Sequence, residues 1–140
     1  MANRYEELIG SDDKPRDELG YLYIQFTIHT LHALMEDGVL VGDQLVMNYS
    51  PTEKNSMSDV SGIDIFVYLS GNNEPVPLQV KGNARAATRE RKKGRGIPVC
   101  NLRTDGGNLK PESQYKQEVE YALEQAIEHR SNGNRWVFEE

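Results

Sequence analysis

Two stretches decide how this chain reads: Gly62-Ile63-Asp64-Ile65-Phe66-Val67-Tyr68-Leu69 and, after a short polar turn, Pro77-Leu78-Gln79-Val80-Lys81-Gly82-Asn83. The first is rich in β-branched and aromatic side chains, the composition of a strand. The second continues the pattern. Between them Gly71, Asn72 and Asn73 tolerate the backbone angles of a tight reversal, so the two runs are expected to pair as a hairpin. Each carries polar residues where apolar ones would be ordinary: Asp64 in the first, Gln79 and Lys81 in the second.

Side chains alternate faces along a strand. Gln79 and Lys81 therefore share one face, and Leu78 and Val80 take the other, as Ile63 and Ile65 do around Asp64. Across a hairpin, Asp64 can face Gln79 and Lys81. A carboxylate, a carboxamide oxygen and an ammonium then converge on one spot. Such a spot suits a hard divalent cation, Mg²⁺ or Mn²⁺, which takes one or two carboxylates, neutral oxygens and retained waters. Asp64 and Gln79 are the expected ligands, with the Val80 carbonyl between them. Lys81 is placed to orient a water and to steady charge on a phosphate. Glu18, in the first turn of a preceding helix, offers a further acid.

Working outward, Asp17 to Asp37 reads as a helix, with apolar residues recurring from Leu19 to Leu34 and Gly38 as a stop. Residues 1–16 are polar, broken by Pro15, and expected to be loose. Gln44 to Tyr49 reads as a strand, Asn83 to Lys93 as a helix, Ile97 to Leu102 as a short strand and Pro111 to Ser131 as a closing helix. Asn134 to Glu140 reads as a last strand. The order is helix, three strands, helix, strand, helix. That is an α/β chain of the α+β mixed-sheet kind, one domain over residues 1–140.

The net charge of −6 argues against a general nucleic-acid coat. The distribution says more. Arg85, Arg89, Arg91, Lys92, Lys93 and Arg95 lie together, opposed in that run only by Glu90. A basic island on an acidic chain attracts phosphates locally. The start is too polar and acidic for a signal or transit peptide, and no apolar run could span a bilayer. One cysteine, Cys100, excludes an internal disulfide; with these features it places the expected location in the cytoplasm.

GIDI followed by LQVKGN resembles the core motif of the PD-(D/E)xK nucleases, the restriction-endonuclease-like superfamily. In that fold an aspartate on one strand precedes an acid-x-lysine pair on the next, within a helix, three strands, a helix and a further strand. Glutamine in place of the middle acid is similar to the Mrr-type branch. The resemblance spans residues 17–103 in topology. It implies Asp64 as the motif aspartate, Gln79 in the place of the middle acid, Lys81 as the catalytic lysine and Glu18 as the first-helix acid. It implies Mg²⁺ or Mn²⁺ as cofactor and DNA as substrate, with Arg85, Arg89, Arg91, Lys92 and Lys93 on the backbone. So small a chain needs a homodimer or a partner subunit for sequence specificity.

Plainer readings stand beside these. Asp64 can pair with Lys81 as an ordinary cross-strand couple. Glu18 suits a helix start and Asp59 is an alternative second acid. His29 and His32 pack or meet solvent, Gln117 and Tyr121 match a RecB-like motif by coincidence, and Cys100 is a small buried hydrophobe. The acidic residues Glu112, Glu118, Glu120, Glu124 and Glu128 form a solvated face. Taken together these readings leave a non-cleaving adaptor on the same scaffold as the alternative to a nuclease.

Overall fold

The computed structural model describes residues 16–52, 62–71, 74–94, 96–133 and 136, with side chains from residue 19 onward. Its elements run α1 (Arg16–Glu36), β1 (Leu40–Val41), β2 (Gln44–Pro51), β3 (Ile65–Leu69), β4 (Val76–Lys81), α2 (Ala84–Lys92), β5 (Val99–Asn101) and α3 (Glu112–Ser131). The five strands form one sheet in sequence order, antiparallel from β1 through β4 and parallel between β4 and β5. A parallel neighbour needs a crossover, and α2 supplies it. The expected mixed sheet and helix order are both present. The last strand expected at 134–140 falls, apart from Trp136, outside the described residues.

Burial alternates along β3 and runs unbroken along β4 as far as Val80. Ile65, Val67 and Leu69 of β3 are buried while Phe66 and Tyr68 between them are half-buried. With Val76, Leu78, Val80 and Cys100 they meet Phe26, Leu31 and Leu34 of α1 and Tyr115, Val119 and Leu123 of α3 in one core. Each such side chain contributes about 1.5–3 kcal/mol by leaving water. α1 and α3 lie against this face and against each other. His29 and His32 both meet solvent; the buried stripe of α1 turns through Phe26, Thr27, Thr30, Leu31 and Leu34.

β1 is an addition to the expected strands. Leu40–Val41 folds back on Gln44–Leu45 through Gly42-Asp43, whose φ angles of 54° and 64° make a two-residue hairpin turn. Only two residues pair, too few to leave a periodic signal. Among the described residues no helix is long and apolar enough to cross a membrane.

Candidate functional site

Asp64 stands immediately before β3, where the β3–β4 ladder runs out. Ile65 pairs with Leu78, so Asp64 comes opposite Gln79. Its backbone N–H donates to Leu78 O at 2.9 Å, and its carbonyl accepts from the Thr52 N–H, also at 2.9 Å. Its carboxylate Oδ2 accepts the Val80 N–H at 2.7 Å. A side chain thus takes a ladder donor, which fixes the carboxylate beside the strand that carries Gln79 and Lys81.

Gln79 is 4% exposed. Its amide nitrogen donates to Glu90 Oε2 at 3.2 Å and to Gly62 O at 3.3 Å, an orientation assigned from those two acceptors. Lys81 Nζ lies 3.7 Å from Glu90 Oε1. Glu90 therefore reaches from α2 onto the sheet face shared by Gln79 and Lys81. Its side chain is only 9% exposed, and Lys93 Nζ closes on the same Oε1 at 2.9 Å. α2 is held in place for this by Asn83, whose Oδ1 accepts the Ala86 N–H at 2.9 Å as an N-cap.

Of the four residues expected at the site, three are brought together by the hairpin register. Glu18 lies in the first turn of α1, its side chain outside the described residues, as is all of Asp59. Lys81 is ion-paired with Glu90 of α2. Glu90 is the residue the sequence concealed. It sits in the last turn of α2 among Arg89, Arg91 and Lys92, and reads there as a stray acid in a basic run.

The basic run itself divides. Arg85, Arg89 and Lys92 recur at helical spacing on an exposed face of α2, where with Ala84 and Thr88 they line a shallow depression. Arg91 turns the other way and donates from Nη2 to Val99 O at 3.3 Å. Lys93 belongs to Glu90.

Among the described residues no three His, Cys, Asp or Glu side chains are gathered so as to hold an ion by themselves. A cation here needs carbonyl, amide or water oxygens beside the carboxylates. The donor set is hard and all oxygen: Asp64, Glu90, the Val80 carbonyl and the Gln79 amide once turned over. That chemistry fits Mg²⁺ or Mn²⁺ and excludes none of the waters Mg²⁺ retains.

In the core, Cys100 of β5 and Tyr115 of α3 are fully buried and hydrogen-bonded to each other, and the Tyr115 hydroxyl lies 2.7 Å from Thr27 Oγ1. Burial first, then Glu118, pushes the Cys100 thiol up to about 12. Burial, then Cys100, raises the Tyr115 phenol well above its ordinary value. Neither serves as a nucleophile. His32 pairs with Glu36 in the open, and His29 lies 3.6 Å from Glu112. Gln117 and Tyr121 are exposed on α3. Glu118 departs from the solvated stripe: it accepts the Asn101 N–H at 3.0 Å and pairs with Lys110 at 3.4 Å.

Comparison with protein-family models, characterised proteins and solved structures returns no match.

Proposed function

We propose that the chain is a metal-dependent nuclease with a restriction-endonuclease-like core, hydrolysing phosphodiester bonds in DNA. The observation that carries this reading is Glu90. Its carboxylate meets both Gln79 and Lys81, so the acid missing from the strand motif arrives from the next helix. The element order α1, β2, β3, β4, α2, β5 and the Asp64–Gln79 register support the same reading.

Asp64, Glu90 and the Val80 carbonyl would hold the cation, with Gln79 joining if its amide turns. When bound, the cation would lower the pKa of a coordinated water and offset charge on the phosphate. Asp64 is pre-set for this by the Val80 N–H. Glu90 holds Lys81 close; once its carboxylate is shared, the Lys81 ammonium is available to the phosphate oxygens, where charge develops. Arg85, Arg89 and Lys92 would take the backbone beside the site. Three phosphate contacts predict a log K against log salt slope of about −2 to −3.

Lys81→Ala and Glu90→Gln should each reduce Mg²⁺- or Mn²⁺-dependent cleavage by about 10²–10³-fold, the loss typical of one electrostatic partner in a transition state. DNA binding should survive both. Intact DNA of every form with wild-type protein and either metal would overturn the proposal.

One observation favours a second reading, a non-cleaving adaptor that binds nucleic acid or protein. Gln79 presents its nitrogen to Glu90, and two lysines already occupy that carboxylate. Titration calorimetry with Mn²⁺ separates the readings: heat that Glu90→Gln removes belongs to the nuclease, and no heat at all belongs to the adaptor.

A further inference from the structure

A cavity of about 260 Å³ opens directly onto Gln79 and Glu90. α2 contributes Arg91, the approach to β5 contributes Gly96, and α3 contributes Gln125 and His129. The His129 ring is stacked on Trp136, with centroids 4.8 Å apart and planes 27° from parallel. Trp136 is pinned in turn by its Nε1–H, which donates to Gly96 O at 2.8 Å. Gly96 must be glycine: its φ is +74°, and a Cβ there would come 2.9 Å from His129 Cε1. One wall is thus a fixed stack of aromatic rings against bare backbone. The remainder is the apolar Ile97-Pro98-Val99 run with a guanidinium, two carboxamides and a carboxylate.

From this lining we infer that the cavity receives one unpaired nucleotide next to the scissile phosphate. The inference rests on the nuclease reading and names its substrate class. A nucleobase carries paired donors and acceptors on one edge; the Gln125 amide offers both, and Gln79, whose nitrogen serves Glu90 and Gly62 O, adds a carbonyl oxygen as acceptor. Arg91 uses one donor on Val99 O, and a guanidinium has five. That leaves it donors for a phosphate or a base edge. The size decides the strandedness. The space admits a ligand of about one nucleoside between α2, the Gly96 segment and α3. A base pair is too wide to enter. A nucleotide reaches Gln79 and Glu90 only when it is out of the helical stack, a state that is costly in intact duplex and free in single strands, flaps and frayed ends. Cleavage of such substrates should exceed cleavage of blunt duplex on the order of a hundredfold.

Trp136 is the only tryptophan of the chain and a wall-side reporter. Thymidine monophosphate is titrated in the presence of EDTA, with tryptophan emission and calorimetry as readouts. Saturable binding is expected. It should weaken about tenfold in Arg91→Met and in Gln125→Leu, the loss of one hydrogen-bond partner. Both residues are exposed, so neither variant threatens the fold. Ribose 5-phosphate should bind more weakly than the nucleotide. Equal binding by ribose 5-phosphate, or none by the nucleotide at millimolar concentration, overturns the inference whatever the cleavage result. Equal cleavage of single strands and blunt duplex also overturns it, while leaving the nuclease reading intact. Nucleotide binding without any cleavage sinks the nuclease reading and keeps the pocket.

Discussion

Gly82 follows the lysine of the site, and its replacement by alanine tests how that strand end is held. The φ of Gly82 is not positive, so alanine meets no backbone objection there. The obstacle is Tyr23. A Cβ on residue 82 would lie 2.6 Å from Tyr23 Cε2, 2.7 Å from Cζ and 2.8 Å from the hydroxyl oxygen. The ring must swing away, and what it leaves is Arg103. That guanidinium donates to the Tyr23 hydroxyl at 3.1 Å and sits 5.9 Å from the ring centroid. A hydrogen bond to a charged group is worth about 1.5–3 kcal/mol and the ring–cation contact about 0.5–1. Alanine returns about 0.4–1 kcal/mol by restricting the unfolded chain. The net loss is about 1–3.5 kcal/mol. With an unfolding entropy of about 0.3 kcal/mol/K for a chain of this length, Tm should fall by about 3–12 °C in a calorimetric scan. Because the cost acts through one ring, Tyr23→Phe should cost less in the Gly82→Ala background than in wild type. A Gly82→Ala protein that melts within about a degree of wild type refutes this account, as does full additivity of the two changes.

Other outcomes follow from the same contacts. Cys100 is neutral in the fold to about pH 12 but ionises near 9.0 when unfolded. Its contribution is therefore complete below pH 9.0 and drains away as pH rises toward 12, at about 1.4 kcal/mol per pH unit. Tyr115 acts in the same direction from pH 10.0 upward. Denaturant midpoints against pH should slope less steeply in Cys100→Ala over that window; parallel slopes would remove the burial argument. Asn83→Ala deletes the cap of α2 and should cost about 1 kcal/mol, with amide exchange accelerated first in that helix. Protection unchanged at Ala86 and Ala87 would show that the cap contributes nothing.

The hairpin was legible because both runs are strand-like in composition and are joined by turn residues; burial alternates along β3 but not along β4. Asp64, Gln79 and Lys81 follow from register alone, which two strands and a turn suffice to set. Glu90 was not legible. Its partners lie on a strand and its neighbours on the helix are basic, so every local cue assigns it to solvent. The division of the basic run has the same origin: helical rotation sends Arg91 and Arg89 to different surroundings although they are two apart. β1 escaped because pairing of two residues depends on the φ angles at Gly42 and Asp43. Glu118 reads as one of a row of surface acids until Asn101 offers it an unpaired strand N–H.

The sheet is long in the middle and short at its margins. β1 has two residues and β5 three, and past β5 the chain folds back on itself at the Arg103–Leu109 bridge. β1 covers only Gln44 and Leu45 of β2, so on that side Val46 to Pro51 have no strand partner among the described residues, an edge of the kind a foreign strand can zip onto. A strand added there would lie on the far side of β3 from Gln79 and Lys81.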